Sequence, residues 1–341
     1  MTPLERVLTT LGHKEPDRVP FFLLLTMHGA KELGMTIKEY FSDGKNVAEG
    51  QLRMRAKYGH DCLFPFFYAP IEVEAWGGEV IFNENGPPNS GAPIIQNPKQ
   101  ILNMNAPTIE GNDCLEKVLE CIRILKEEAK DEVPIIGVVM SPFSLPVMQM
   151  GFEAYLKLIY EKPEVFEYLM KINEEFAVSW ANKQIDAGAT AITYFDPISS
   201  ISMVPRELFL KTGFWVAKRT LARIKGPTGV HFASGRCLPI IDDVARLGTS
   251  IIGTSVLEDL AEVKSKCNRR LTVLGNLNGI EMCRWTKKEA KEAVKNAIDK
   301  AASGGGFILA DNHGEIPFQV SEEILITIAK TVNKYGQYPI K

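Results

Sequence analysis

Two histidines, His231 and His313, each stand at the end of an apolar run: Gly229-Val230-His231 and Phe307-Ile308-Leu309-Ala310-Asp311-Asn312-His313. In a parallel α/β protein, a polar residue placed where a buried strand surfaces is fixed by the strand and exposed by the loop that follows. The chain has five histidines, so two in such positions mark a candidate site. Imidazoles there serve as metal ligands or as proton-transfer groups. Asp196 closes a third run, Ile192-Thr193-Tyr194-Phe195, and its carboxylate either joins the histidines or caps the next helix. His231, His313 and Asp196 are therefore the candidate catalytic residues and the candidate metal ligands. Cys237, six residues beyond His231, reads as the first turn of the next helix rather than as a ligand.

The other strand ends supply walls. His28, Phe66, Tyr68, Met140, Tyr194, Asn276 and Asp311 are the candidate substrate-binding residues, with Phe67 and Phe232 beside them. Aromatic and apolar surface with a few polar groups suits a moderately apolar organic ligand. It lacks the dense basic lining that a phosphate-rich substrate needs.

The elements that must position these residues follow from alternation of short apolar runs with longer amphipathic stretches. Strands are predicted at 19–25, 61–66, 134–141, 191–196, 229–234, 250–255, 271–276 and 306–312, mostly continuous apolar runs, as strands buried on both faces should be. Helices are predicted at 114–131, 163–187, 205–224, 237–247 and 286–302, the last opened by a Thr286/Glu289 capping box. Thr2-Pro3-Leu4-Glu5 carries the same signals for a helix ahead of the first strand. Gly304-Gly305-Gly306 precedes a strand, so it reads as a tight turn and not as a phosphate loop. The segment 69–107, rich in Gly, Pro and Asn, reads as a β-hairpin excursion pairing Glu79–Phe82 with Ile94–Gln96. The expected fold is α/β: one (β/α)8 TIM barrel over residues 1–341, with an N-terminal helix and a hairpin excursion after the second strand. A doubly wound sheet is the alternative architecture.

Bulk properties narrow the function. A chain of 341 residues, 45% hydrophobic and 24% charged, has the composition of a globular protein with a large core. A formal net charge of −3 gives no electrostatic reason to expect nucleic acid or an anionic membrane as partner. The start, Met1-Thr2-Pro3-Leu4-Glu5-Arg6, has no signal-peptide pattern, and no apolar stretch reaches the roughly 18 residues of a membrane span. Six scattered cysteines without a Cys-x-x-Cys pair read as reduced thiols, so the expected location is cytoplasmic.

Several segments, in order, resemble the uroporphyrinogen decarboxylase superfamily. They are Pro16-Asp17-Arg18-Val19-Pro20, Tyr58-Gly59-His60-Asp61, Ala75-Trp76-Gly77-Gly78-Glu79-Val80, Ser141-Pro142-Phe143, Val204-Pro205-Arg206-Glu207-Leu208-Phe209 and Gly275-Asn276-Leu277. The resemblance covers nearly the whole chain and implies a (β/α)8 barrel. Porphyrinogen decarboxylases of this family carry an Arg-Gln-Ala-Gly-Arg loop after the first strand, where this chain has Leu24-Leu25-Thr26-Met27-His28-Gly29-Ala30. Without those arginines a polyanionic porphyrinogen lacks its clamp.

The likeness is to the methylcobamide-dependent methyltransferase branch. Its thiol-methylating members have a His-x-Cys pair at the fifth strand and a Gly-Cys-Gly turn after the eighth, holding a thiol-activating zinc. Here those segments read His231-Phe232-Ala233 and Asn312-His313-Gly314. Loss of both cysteines shifts the expectation from thiol activation to activation of an oxygen leaving group. The resemblance then implies a demethylase-type enzyme that moves a methyl group from a methoxylated, aromatic small-molecule donor to the cob(I)alamin of a partner corrinoid-binding protein. Zn2+ on His231, His313 and Asp196, or a metal-free histidine acid, would assist the leaving oxygen. A homodimer is compatible with this picture. The competing expectations are a methylcobamide:thiol methyltransferase, a decarboxylase of another substrate, and a barrel that binds without catalysis.

Overall fold

Six of the expected strands form one parallel sheet in chain order: β3 (Ile136–Met140), β4 (Ala191–Phe195), β5 (Thr228–His231), β6 (Ile251–Gly253), β7 (Thr272–Leu277) and β8 (Phe307–Asp311). This is a computed structural model describing residues 1–340; Lys341, the last residue of the expected single domain, lies outside them. Helices connect successive strands, as right-handed parallel crossovers require. The longest, Pro163–Ala187, matches its sequence expectation from end to end.

The segments at 19–25 and 61–66 were expected as full strands and instead join the ring through single bridges, Phe21 to Leu309 and Leu63 to Ile135. Hydrogen bonds nevertheless run round the whole ring. Phe22 N–H donates to Leu309 O (2.8 Å), Asp61 N–H to Phe21 O (2.9 Å), and Ile136 N–H to Leu63 O (2.9 Å). The ladders here are short because side chains hold these segments. Buried Asp61 accepts from Phe21 N–H (2.9 Å), Arg6 Nη1 (2.7 Å) and Arg18 Nη1 (2.6 Å). A carboxylate without water is tolerated only with such cationic partners. Arg18 and Asp61 of the family-like segments are therefore scaffold.

The N-terminal helix, Pro3–Leu11, starts with the expected capping box: Glu5 N–H donates to Thr2 Oγ1 (3.1 Å) and Thr2 N–H to Glu5 Oε2 (2.8 Å). The helix Lys287–Ala301 opens the same way. Two sequence expectations change. The single helix predicted at 205–224 is two, Arg206–Lys211 and Gly213–Leu221, broken at Thr212, whose backbone leaves the helical region. The excursion hairpin pairs β1 (Val80–Ile81) with β2 (Asn89–Ser90), not with Ile94–Gln96. Ile95 N–H is used by Gln149 O (2.9 Å), which ties that stretch to the short helix Pro146–Met150 after β3. No helix among the described residues is long and apolar enough to cross a membrane.

Candidate active site

Strand register decides which side chains look into the barrel. Met140 pairs with Phe195, and Phe195 with His231, so these three share one face. Val139, Tyr194 and Val230 share the other face, towards the helices. Phe195 and His231 border a narrow cavity inside the barrel of about 30 Å³, with Phe22, Leu24 and Leu274 below. Tyr194 faces away from the site, contrary to the sequence expectation of a wall residue. The inward aromatic is its neighbour Phe195, which stacks on Phe66 (centroids 6.1 Å, 17° between planes) and lies 4.9 Å from the His231 ring.

Glycine makes room for the His231 ring. A Cβ on Gly253 of β6 would overlap His231 Cδ2. Gly314, at φ +86°, brings the loop after β8 over the mouth, where a Cβ would overlap Phe195 Cζ and stand 3.2 Å from His231 Cε1. His231 is left 1% exposed. Its Nδ1 accepts the backbone N–H of Ala233 (3.0 Å), and its Nε2 is buried without a partner. Burial, with the nearby His313 adding to it, pushes its pKa down to about 3, so the ring is neutral.

His313 stands on the covering loop, half-buried, with Nδ1 lacking a partner and its pKa lowered by burial. Asp311 shapes that loop: its Oδ2 accepts from His313 N–H (2.7 Å) and Gly314 N–H (2.9 Å). Its Oδ1 has no partner, and burial pushes its pKa up to about 6. Asn312 accepts Gly279 N–H (3.3 Å), leaving its own Nδ2 unpaired. Glu315 accepts the Thr26 hydroxyl, and burial together with Asp311 raises its pKa to about 7. Sequence reasoning passed over Glu315. Its only signal was a second carboxylate four residues beyond Asp311 in the same turn.

Asp196 does not join the histidines. It is buried, and its Oδ1 accepts both the Ser141 hydroxyl (2.6 Å) and the Ser144 hydroxyl (2.7 Å). Its backbone N–H donates to His231 O (2.8 Å). Asp196 is thus a brace between the loop after β3 and the end of β5. Cys237 is no thiolate either: burial raises its pKa and the Glu258 carboxylate takes the backbone N–H groups of Cys237 (2.9 Å) and Leu238 (2.7 Å). Among the described residues no group of three or more His, Cys, Asp or Glu is placed to hold a metal ion. The expected zinc set of His231, His313 and Asp196 is corrected accordingly: Asp196 Oδ1 is held by two serine hydroxyls, and the three residues are not brought together as a ligand set.

Other expected contacts divide. Phe66 and Met140 lie at the mouth beside Phe195. His28 is buried at the start of helix His28–Leu33, edge-on to Phe318 of the covering loop (6.0 Å), with burial holding it neutral at a pKa of about 3. Tyr68 turns away: its hydroxyl donates to Glu74 (2.6 Å) and its ring packs on Phe41 and Phe82. Asn276 braces the loop after β6 through Ser255 O (2.9 Å).

A profile of the uroporphyrinogen decarboxylase (URO-D) family matches residues 2–335. The chain belongs to the uroporphyrinogen decarboxylase family. Within it, the chain is 30% identical over 325 residues to the methylcobamide:CoM methyltransferase MtaA of Methanosarcina barkeri, covering 89% of this chain and 91% of that protein. It is 24% identical to the uroporphyrinogen decarboxylase of Pelobacter propionicus, over 92% and 93% of the two chains. A solved methyltransferase from Methanosarcina mazei superposes with a TM-score of 0.84 at 20% identity, covering 98% of this chain and 99% of that one. The expected (β/α)8 fold and the methyltransferase side of the family agree with these matches.

Proposed function

We propose that this family member is a corrinoid-dependent methyltransferase that, as one barrel domain, moves a methyl group from a methoxylated aromatic donor to the corrinoid of a partner protein. The observation that carries the reading is the buried, unpartnered Nε2 of His231 on a ring packed against Phe195, which in turn touches Phe66 and pairs in register with Met140. A buried donor without a partner is costly, so its placement marks where a ligand atom belongs. Support for corrinoid chemistry comes from the methylcobamide-dependent relatives.

The partner's reduced corrinoid supplies the nucleophile, so this chain has to orient the donor and ease departure of the oxygen. As the C–O bond breaks, its electron pair stays on oxygen, and a hydrogen bond from His231 Nε2–H stabilises the developing phenolate. Phe66, Phe195 and Met140 supply an apolar bed for the ring and exclude water, which strengthens that hydrogen bond. No step passes through zinc, because the residues present do not fit one.

The test supplies a reduced corrinoid protein and a panel of methoxyarenes, and follows corrinoid methylation by absorbance. Methylation with at least one methoxyarene is expected. Failure with every methyl donor, combined with methyl transfer from methylcobalamin to a thiol, overturns the reading. Thiol transfer is the second reading, favoured by the name of the Methanosarcina barkeri relative reported above. Against it stands Ala233, where a thiolate ligand would be needed.

A further inference from the structure

We propose that His231 is fixed as the Nε2–H tautomer by the backbone of residue 233, and that it therefore serves as a hydrogen-bond donor to an oxygen-centred leaving group and holds no zinc. The proposal deepens the methyl-transfer reading and rests on it for the identity of the oxygen.

Ala233 has φ +50°, a left-handed conformation in the turn after β5. In that turn its N–H points back to His231 Nδ1 at 3.0 Å. An imidazole nitrogen that accepts a hydrogen bond carries no proton, so in the neutral ring the proton is on Nε2. A neutral histidine that binds a metal through Nε2 needs the reverse: its Nδ1–H donates to a carboxylate or carbonyl. Here that arrangement would set Nδ1–H against Ala233 N–H, donor against donor. The ring is too deeply buried to relieve the conflict by charging, and Gly253 and Gly314 close on its two sides.

The remaining donors do not rescue a zinc. Asp196 Oδ1 is occupied by two serine hydroxyls and Asp311 Oδ2 by two backbone N–H groups; His313 Nδ1 and Asp311 Oδ1 are unpaired, but no three His, Cys, Asp or Glu among the described residues are placed to hold a metal ion. Cys237 stands against the Glu258 carboxylate, which opposes ionisation of the thiol. The imidazole therefore presents an unpaired Nε2–H beside Phe195. Oxygen accepts such a hydrogen bond strongly and a thioether sulfur only weakly. The same feature thus favours an ether oxygen over sulfur as the leaving atom.

The test uses the full chain labelled with 15N-histidine and needs no turnover. Long-range 1H–15N correlation at neutral pH is expected to show His231 with an unprotonated Nδ1 and a protonated Nε2, unmoved by one equivalent of zinc chloride. Its lines are assigned by their loss in His231→Gln and, independently, in His231→Asn. A protonated Nδ1, or His231 lines that shift on adding zinc, overturns the proposal. Failure of the methyl-transfer reading shows separately, in the corrinoid assay, with the tautomer intact.

Discussion

The ends of β4 and β5 lie side by side yet treat their polar atoms in opposite ways. At β4, Asp196 is braced: two hydroxyls donate to its Oδ1 and its own N–H is used by His231 O. At β5 and the loop after β8, His231 Nε2, His313 Nδ1, Asp311 Oδ1 and Asn312 Nδ2 are buried without partners. Buried polar groups are normally paired, so a carboxylate oxygen held by two hydroxyls is scaffold and a concentration of unpaired groups on one loop is a place prepared for a ligand. The carboxylate that looked catalytic holds the frame, and the histidine beside it is left free to act.

This contrast is exposed to mutation, and the largest effect belongs to the unpaired side. His231→Ala is expected to lower kcat for demethylation by about 10²–10⁴-fold, the range for losing a proton-donating group. Turnover at the parental rate in the corrinoid assay would remove His231 from the chemistry. Asp196→Ala should instead cost about 3 kcal/mol of unfolding free energy in urea, since it strands the Ser141 and Ser144 hydroxyls. Unchanged stability with abolished activity would reverse the contrast.

Asp311 sharpens the comparison through pH. Its carboxyl titrates near 3.8 when unfolded and about 6 when folded, so the fold disfavours the charged form. Folded protein then holds more protons than unfolded protein between those values, and stability falls as pH rises through that window. The loss is about 3 kcal/mol by linkage. Asp311→Asn should remove that part of the decline, leaving the portion due to Glu315, whose pKa is also raised. An identical stability profile in the variant would show that Asp311 is not held in this way. The smallest change is Tyr68→Phe, which loses only the hydrogen bond to Glu74. About 1 kcal/mol of stability and no effect on KM or kcat are expected; a raised KM would return Tyr68 to the site.

Much of this was legible from the chain. Buried strands announced themselves as apolar runs, and His231 and His313 stand at the mouth because each ends such a run. Facing was harder to read. Tyr194 and Phe195 are adjacent aromatics in a run apolar on both faces, and a one-residue difference in register exchanges wall for scaffold. Partners distant in sequence were not legible at all. Ser141 and Ser144 precede Asp196 by 55 and 52 residues, so nothing local distinguishes a brace from a ligand. The left-handed backbone at Ala233, which fixes the imidazole tautomer, carries no glycine or asparagine to signal it.

The seam of the ring has a consequence for how the protein is made. Phe21 finds its strand partner only in Leu309, near the other end of the chain. During synthesis, therefore, β3 to β7 can pair in order as they emerge, but β7 keeps an unpaired edge until β8 has left the ribosome. Exposed parallel edges invite pairing with other chains. A nascent chain stalled before residue 307 should accordingly depend on chaperone protection, and release from that dependence should coincide with emergence of Phe307–Asp311.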